Sequence, residues 1–222
     1  MDREPVMNAS ILSEQIAERV AIIESLIQQR AQRDVTLIAV TKGFTSEAIK
    51  AAKKAGIVDF GENYAQEMKA KSLHLEEDCV WHFIGQMQSN KVRKISKLVQ
   101  VWHSVTSLKL AKEIEKRSEF SDVLVQVNMD KRGNHMGVDQ IDLPVFLRQL
   151  QGLNINVRGL MTMGIAGDPE GTRKFFTDLR RLADVHELPD CSMGMSGDLE
   201  IALECGTTMV RVGTGIFGNR SG

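Results

Sequence analysis

The sequence predicts a (β/α)8 barrel with an additional N-terminal helix, formed as a single domain over residues 1–222. Three observations lead to this fold class. Short apolar, β-branched runs alternate with helical segments, eight such runs can be counted, and the length suits one barrel. Strands that alternate with helices pair in parallel through right-handed crossovers. A doubly wound open sheet is the alternative, because a strand count does not separate the two folds.

The elements follow in a regular order. A first helix is predicted over residues 10–30, where apolar residues recur at helical spacing between charged ones. The eight strands are predicted at 35–40, 57–61, 80–85, 101–105, 122–129, 157–163, 191–196 and 208–213. Helical segments are predicted at 45–56, 66–73, 89–99, 107–118, 143–153, 168–188 and 198–206. Thr45 is the expected N-cap of the first of these segments and Gly56 its end.

Composition narrows the class of function. The net charge is -1, which gives no indication of a nucleic-acid or membrane surface. The N-terminus MDREPVMNAS has no apolar core of a signal peptide, and no apolar stretch is long enough to span a bilayer. Three widely spaced cysteines without a CxxC pair suit a reducing compartment. We therefore expect a cytoplasmic protein, and a monomer because no apolar seam stands out.

Lys42 and Asn63 stand where the first and second predicted strands end. Functional sites of α/β barrels lie at the C-terminal ends of the strands. A lysine amine at a partly desolvated barrel mouth loses its proton more readily, and a neutral amine forms Schiff bases with carbonyl compounds. The alternative for Lys42 is the common one, a solvated surface lysine.

The seventh and eighth predicted strands end in motifs that suit a phosphate group. GMSGDLE places Ser196 at an expected helix start, and MVRVGTG places Gly213 and Thr214 after the last strand. Free backbone N–H groups at helix starts favour anions, and many barrels bind phosphate after these two strands. Asp198 would repel an anion if it pointed inward. Taken singly, the motifs could be an N-cap and turns, but together they favour a phosphate site.

A lysine facing a phosphate site fits a phosphorylated aldehyde. Pyridoxal 5'-phosphate (PLP) is one such compound, and the substrate of a Schiff-base aldolase is another. The residues alone leave both open.

Motifs along almost the whole chain resemble the pyridoxal phosphate homeostasis protein family. They include LIAVTK, DFGENYAQE, WHFIGQMQSNK, SMGMSGDLEIAL and GTTMVRVGTGIFGNR, and they run from about residue 37 to residue 220. The family in turn resembles the barrel half of alanine racemase, known as fold type III of PLP proteins. The resemblance therefore implies a PLP-binding barrel.

The resemblance also implies roles for individual residues. Lys42 matches the lysine that forms the Schiff base with PLP, and Arg211 matches the arginine facing the pyridine nitrogen. Ser196, Gly213 and Thr214 match the phosphate-binding residues, and Asn63 is placed beside the cofactor ring. Because guanidinium only donates hydrogen bonds, Arg211 would oppose protonation of the ring nitrogen and weaken carbanion chemistry.

The function implied is PLP binding in vitamin B6 and amino-acid homeostasis, with PLP-dependent apo-enzymes as possible recipients and no robust catalysis. A racemase needs two bases, and the resemblance places the second in a C-terminal β-domain, whereas this sequence ends at Gly222. A PLP-dependent amino-acid racemase or other PLP enzyme is the first alternative. An aldolase acting on a phosphorylated substrate is the second.

Two loops depart from the family pattern. Gly43 and Phe44 follow Lys42 where a proline is common, which predicts a flexible loop. The loop at 131–137 has Met136 near the position of a family lysine.

Two groups of residues are assigned to the barrel core. His82 and His103 are expected to be core histidines with hydrogen-bond partners rather than zinc ligands. The same placement is expected for the methionines at 161, 163, 193 and 195.

Overall fold

The computed structural model describes residues 4–73, 79–119, 121–130 and 136–219, and it confirms the (β/α)8 barrel. The barrel strands are β1 Thr36–Val40, β2 Asp59–Glu62, β3 Val80–Phe83, β4 Val101–Val105, β5 Asp122–Asn128, β7 Asn156–Met161, β8 Asp190–Ser192 and β9 Met209–Val212. β1 pairs with both β2 and β9, and β4 pairs with β5, so the parallel sheet closes on itself. The two-residue β6 (Val138–Asp139) was not predicted and pairs in parallel with the end of β5.

The helices cover the outside of the barrel. They are α1 Glu4–Arg30, α2 Ser46–Lys54, α3 Ala65–Ser72, α4 Leu108–Arg117, α5 Leu143–Leu150, α6 Pro169–Val185, α7 Leu199–Glu204 and α8 Thr214–Phe217. α1 is the predicted additional helix, and it buries Ile16, Val20 and Ile23. Thr45 caps α2 as predicted, because its hydroxyl accepts a hydrogen bond from Ala48 N–H. None of the described helices combines the length and apolar character needed to cross a membrane.

The segment predicted as a helix at 89–99 differs from expectation. It forms a 3-10 helix over Ser89–Lys94 and continues as turns. Val92 and Ile95 are both buried. Val92 lies within the 3-10 helix, and Ile95 follows directly after its last residue, in the turn.

Successive side chains of a strand point alternately into the barrel and towards the helices. Ile38, Val101, Leu124, Met161 and Met209 form an interior cluster separate from the main core. Arg211 lies two residues beyond Met209 on β9, so its side chain points to the same interior face.

The methionine prediction was half right. Met161 and Met193 are buried, whereas Met163 is 46% exposed and Met195 is 39% exposed. β7 ends at Met161 and β8 ends at Ser192, so the two exposed residues lie in loops beyond the strands.

Candidate functional site

A cavity of about 360 Å³ opens at the C-terminal ends of the strands. This volume falls in the range of small-molecule sites. All six residues singled out from the sequence line it, together with apolar side chains and one further glycine. The lining residues are Val40, Lys42, Asn63, Ile84, Met161, Met163, Met195, Ser196, Gly197, Arg211, Gly213 and Thr214. The structure therefore brings the lysine, the arginine and the predicted phosphate residues to one place.

The backbone on both sides of Lys42 is held by side chains of α3. Lys71 Nζ donates a hydrogen bond to the carbonyl of Thr41 at 2.6 Å. Gly43 N–H donates to Glu67 Oε2 at 2.8 Å. Among the described residues, none forms an ion pair or hydrogen bond with the Lys42 amine itself. The loop without the family's proline thus has two side-chain contacts that fix its backbone and leave the amine available.

Glu62 belongs to the same group of charged residues as Lys71 and Glu67, next to the backbone of Thr41 and Gly43. Its carboxylate is fully buried and accepts hydrogen bonds from Lys71 Nζ at 2.6 Å and from Thr41 Oγ1 at 2.5 Å. Lys71 Nζ also lies 2.8 Å from Glu67 Oε2. Burial raises the pKa of Glu62, and the hydrogen bonds from Lys71 and Thr41 oppose that rise. We refer to Lys71, Glu62 and Glu67 as the α3 charge cluster.

Asn63 brings an unsatisfied acceptor to the cavity. Its Oδ1 atom is buried and has no hydrogen-bond partner. A Cβ placed on Gly85 would lie 2.1 Å from the carbonyl oxygen of Asn63, so only glycine at 85 allows this close approach. A buried acceptor without a partner is costly in a folded protein, which suggests that a ligand supplies the missing donor.

The loops after β8 and β9 meet at Ser196. Its hydroxyl accepts a hydrogen bond from Gly215 N–H at 3.1 Å. A Cβ at Gly197 would meet no atom within 4 Å, so open space lies beside this loop. Ser196 does not open a helix as predicted, because α7 begins three residues later at Leu199. Asp198 accepts a hydrogen bond from Met195 N–H and is not among the residues that line the cavity.

Arg211 closes the cavity from the barrel interior. Only 4% of the residue is exposed, and its Nη2 atom donates to the carbonyl of Thr162 at 2.9 Å while Nη1 donates to Ser192 Oγ. Burial lowers the pKa of Arg211 to about 10, so the guanidinium remains charged at neutral pH. Since guanidinium has five N–H donors, these two contacts leave further donors for a ligand.

Several functional features escaped sequence reasoning. Lys71 and Glu67 were not singled out from the sequence, although both lie on α3 and Glu67 ends the quoted motif DFGENYAQE. His82 and His103 were expected in the core with hydrogen-bond partners, and both are buried and hydrogen-bonded to each other at 2.8 Å. Residues 131–135 of the loop that departs from the family pattern lie outside the described residues.

Comparison with known proteins identifies the family. The model of the alanine racemase N-terminal domain matches residues 14–221. The pyridoxal phosphate homeostasis protein of Pseudomonas aeruginosa is 37% identical, over 92% of this chain and 96% of that protein. Its counterpart in Aquifex aeolicus is also 37% identical, over 86% of this chain and 90% of the relative. The chain belongs to the pyridoxal phosphate homeostasis protein family.

Solved structures agree with this assignment. PipY of Synechococcus elongatus PCC7942, in its structure with PLP bound, matches with a TM-score of 0.84 at 35% identity. That match covers 91% of this chain and 100% of PipY. Alanine racemase from Corynebacterium glutamicum matches with a TM-score of 0.74 at 17% identity, over 93% of this chain and 61% of the racemase. At that identity the likeness to the racemase concerns the fold alone.

Proposed function

We propose that this protein binds PLP as a Schiff base on Lys42 and serves in PLP and amino-acid homeostasis. The observation that carries the proposal is the single cavity that joins an uncommitted lysine amine, a buried arginine and the Ser196–Gly213–Thr214 group. The names of its relatives and the PLP-bound structure of PipY support it. When bound, PLP would supply an aldehyde that condenses with the Lys42 amine and releases water.

The residues present fit this cofactor. Gly197 has open space beside it at the predicted phosphate position, Gly213 lies close to the backbone of Val40, and Ser196 and Thr214 add hydroxyl groups. Arg211 has donors left for an acceptor such as a ring nitrogen.

Each residue would act in a distinct way. Lys42 forms the covalent attachment, and the α3 charge cluster fixes the backbone that carries it. Arg211 donates to the ring nitrogen, which leaves that nitrogen without a proton and makes the ring a poor electron sink. The apolar side chains of Ile84 and Met161 exclude water from one side of the cavity.

The lining residues favour a carrier over a racemase. Racemisation by two bases needs one base on each face of the substrate carbon. Among the described residues that line the cavity, Lys42 is the one side chain that can act as a base, since Arg211 stays protonated. We therefore propose that the protein holds and delivers PLP, to PLP-dependent apo-enzymes in the cytoplasm, as a monomer and without robust catalysis.

The direct test replaces the attachment site. Lys42→Ala protein mixed with PLP is expected to lose the visible absorbance band of the bound Schiff base, with an unchanged circular dichroism spectrum. Lys54→Ala is the matched control, because Lys54 is an exposed lysine in the last turn of α2. It is expected to keep the band. An undiminished band in Lys42→Ala would contradict the proposal.

A further inference from the structure

A chain of hydrogen bonds crosses the barrel interior and ends at the cavity. It starts at Asp59, the first residue of β2, whose Oδ1 lies 2.8 Å from His82 Nε2. His82 Nδ1 lies 2.8 Å from His103 Nε2, and His103 Nδ1 lies 2.9 Å from Ser192 Oγ. Ser192 Oγ in turn accepts from Arg211 Nη1. We call this series the interior chain.

The groups at the two ends of the interior chain constrain the direction of each hydrogen bond within it. Arg211 can only donate, so Ser192 Oγ accepts from it. Burial, with the charges of His82, Arg211 and Arg158, lowers the pKa of His103 well below its ordinary value, so His103 is neutral and has one donor and one acceptor nitrogen.

The hydroxyl proton of Ser192 decides between the two tautomers of His103. If His103 Nδ1 donated, Ser192 Oγ would accept twice, and its own proton would have no described partner. The consistent arrangement has Ser192 donating to His103 Nδ1 and His103 Nε2 donating to His82 Nδ1. His82 Nε2 then donates to the carboxylate of Asp59.

This arrangement explains how a buried cation is accommodated. Within the described part of the chain, no carboxylate lies within 4 Å of Arg211, although the charge of Asp198 raises its pKa in part. The interior chain runs from the guanidinium to the carboxylate of Asp59, with every intervening dipole aligned in one direction. Hydrogen bonds aligned in this way polarise and strengthen each other in a low-dielectric interior.

We propose that Ser192 and His103 are positioning residues for Arg211, and that Asp59 is its remote counter-charge at the opposite end of the barrel. Ser192, the last residue of the interior chain, binds one edge of the Arg211 guanidinium, and the Thr162 carbonyl binds another. The remaining N–H donors therefore face the cavity. This inference rests on the proposed function only where it concerns the ring of PLP.

The first test uses the protein without PLP. Nitrogen-15 NMR of the imidazole rings at pH 7 reports which nitrogen of each histidine carries the proton. His103 is expected to be neutral, with a protonated Nε2 and an unprotonated Nδ1, and His82 is expected to accept at Nδ1 and donate at Nε2. A protonated Nδ1 on His103 would overturn the inference, whatever the protein binds.

The second test compares two aspartates that each begin a barrel strand. Asp59→Asn removes the charge at the end of the interior chain, so the tautomer of His82 is no longer fixed. The affinity of the Asp59→Asn protein for PLP is expected to fall roughly threefold, because the hydrogen bonds of the interior chain are less well aligned. Asp122→Asn is the matched control, because Asp122 begins β5 and pairs with Arg158 at 2.8 Å instead. It is expected to keep both the tautomers and the affinity.

The outcomes separate the two proposals. If the unmodified protein binds no PLP, the proposed function fails, while the NMR spectra still judge the interior chain. If the tautomers are as expected but both aspartate variants bind PLP alike, the positioning role is overturned. Should Asp59→Asn fail to fold, Ser192→Ala cuts the chain beside Arg211 and is expected to weaken PLP binding about tenfold. Unchanged affinity in that variant would equally overturn the positioning role.

Discussion

Lys71 and Arg211 are two buried cations in the same barrel, and they are stabilised in different ways. Lys71 has two carboxylates in direct contact, at 2.6 Å and 2.8 Å. Arg211 has none within 4 Å among the described residues and is instead bound by a hydroxyl and a carbonyl. Lys71 uses its donors on its own protein, whereas Arg211 keeps donors for the cavity.

This difference separates a structural cation from a ligand-binding one. A buried charge with local counter-charges is compensated before any ligand arrives, so its removal affects the fold. A buried charge without them is incompletely compensated, and a ligand acceptor can complete its coordination. Substitutions at the two positions should therefore affect different properties of the protein.

The largest effect is expected for Lys71→Met. Loss of the Lys71 amine leaves the buried carboxylate of Glu62 without a cation, which costs about 3–5 kcal/mol of unfolding free energy. Urea denaturation at pH 7 measures this loss of unfolding free energy. The loss should become smaller as the pH falls, because burial already raises the pKa of Glu62 and the unpaired carboxyl takes up a proton. Lys69→Met, an exposed lysine on the same helix, is the control. Equal stability of the two variants would contradict the structural role.

Arg211→Met is expected to have a smaller effect on stability and a larger one on PLP. No carboxylate in direct contact loses its cation, and only Ser192 and the Thr162 carbonyl lose a donor, which costs about 1–2 kcal/mol. PLP affinity, followed by absorbance titration, should fall by about tenfold or more, since a charged hydrogen bond to the ring is lost. Arg158→Met removes an arginine at the other end of the barrel and should leave the affinity unchanged. A variant of Arg211 as unstable as Lys71→Met would remove the distinction between the two cations.

The smallest effect concerns the pH dependence of stability through His103. Unfolded His103 takes up a proton as the pH falls through about 6.5, whereas the buried ring, with its lowered pKa, does not. The unfolded state then binds more protons, so stability falls as the pH falls below 6.5. The contribution of His103 to this slope approaches about 1.4 kcal/mol per pH unit. His103→Gln should show a correspondingly shallower slope between pH 6.5 and 5.5 in urea denaturation. An identical slope would mean that His103 is protonated in the folded protein.

The fold and the location of the site were predictable from local patterns. Eight apolar runs marked the barrel strands, and the rule that barrels place their sites at strand ends brought Lys42, Asn63 and Arg211 to one cavity. Turn and cap chemistry is also local, as Thr45 shows at the start of α2. Features that depend on spacing along one element were therefore within reach of the sequence.

The contacts that connect the site to the interior were not predictable. His103 and Ser192 are 89 residues apart in sequence and meet only because β4 and β8 both face the barrel interior. The repeated Trp-His pair in β3 and β4 was an available signal, since the outward tryptophans imply inward histidines. For Lys71 the sequence offered only the Glu67 pair, four residues away on α3, because its other partners Glu62 and Thr41 lie on and after different strands.

Covalent attachment of PLP to Lys42 can be detected chemically. The absorbance spectrum of the purified protein with PLP is recorded, the sample is reduced with borohydride, and the peptides are analysed by mass spectrometry. A visible band is expected before reduction, and a pyridoxyl phosphate adduct is expected on the peptide that contains Lys42. An adduct on another lysine, or a colourless protein that takes up no PLP, would contradict attachment at Lys42.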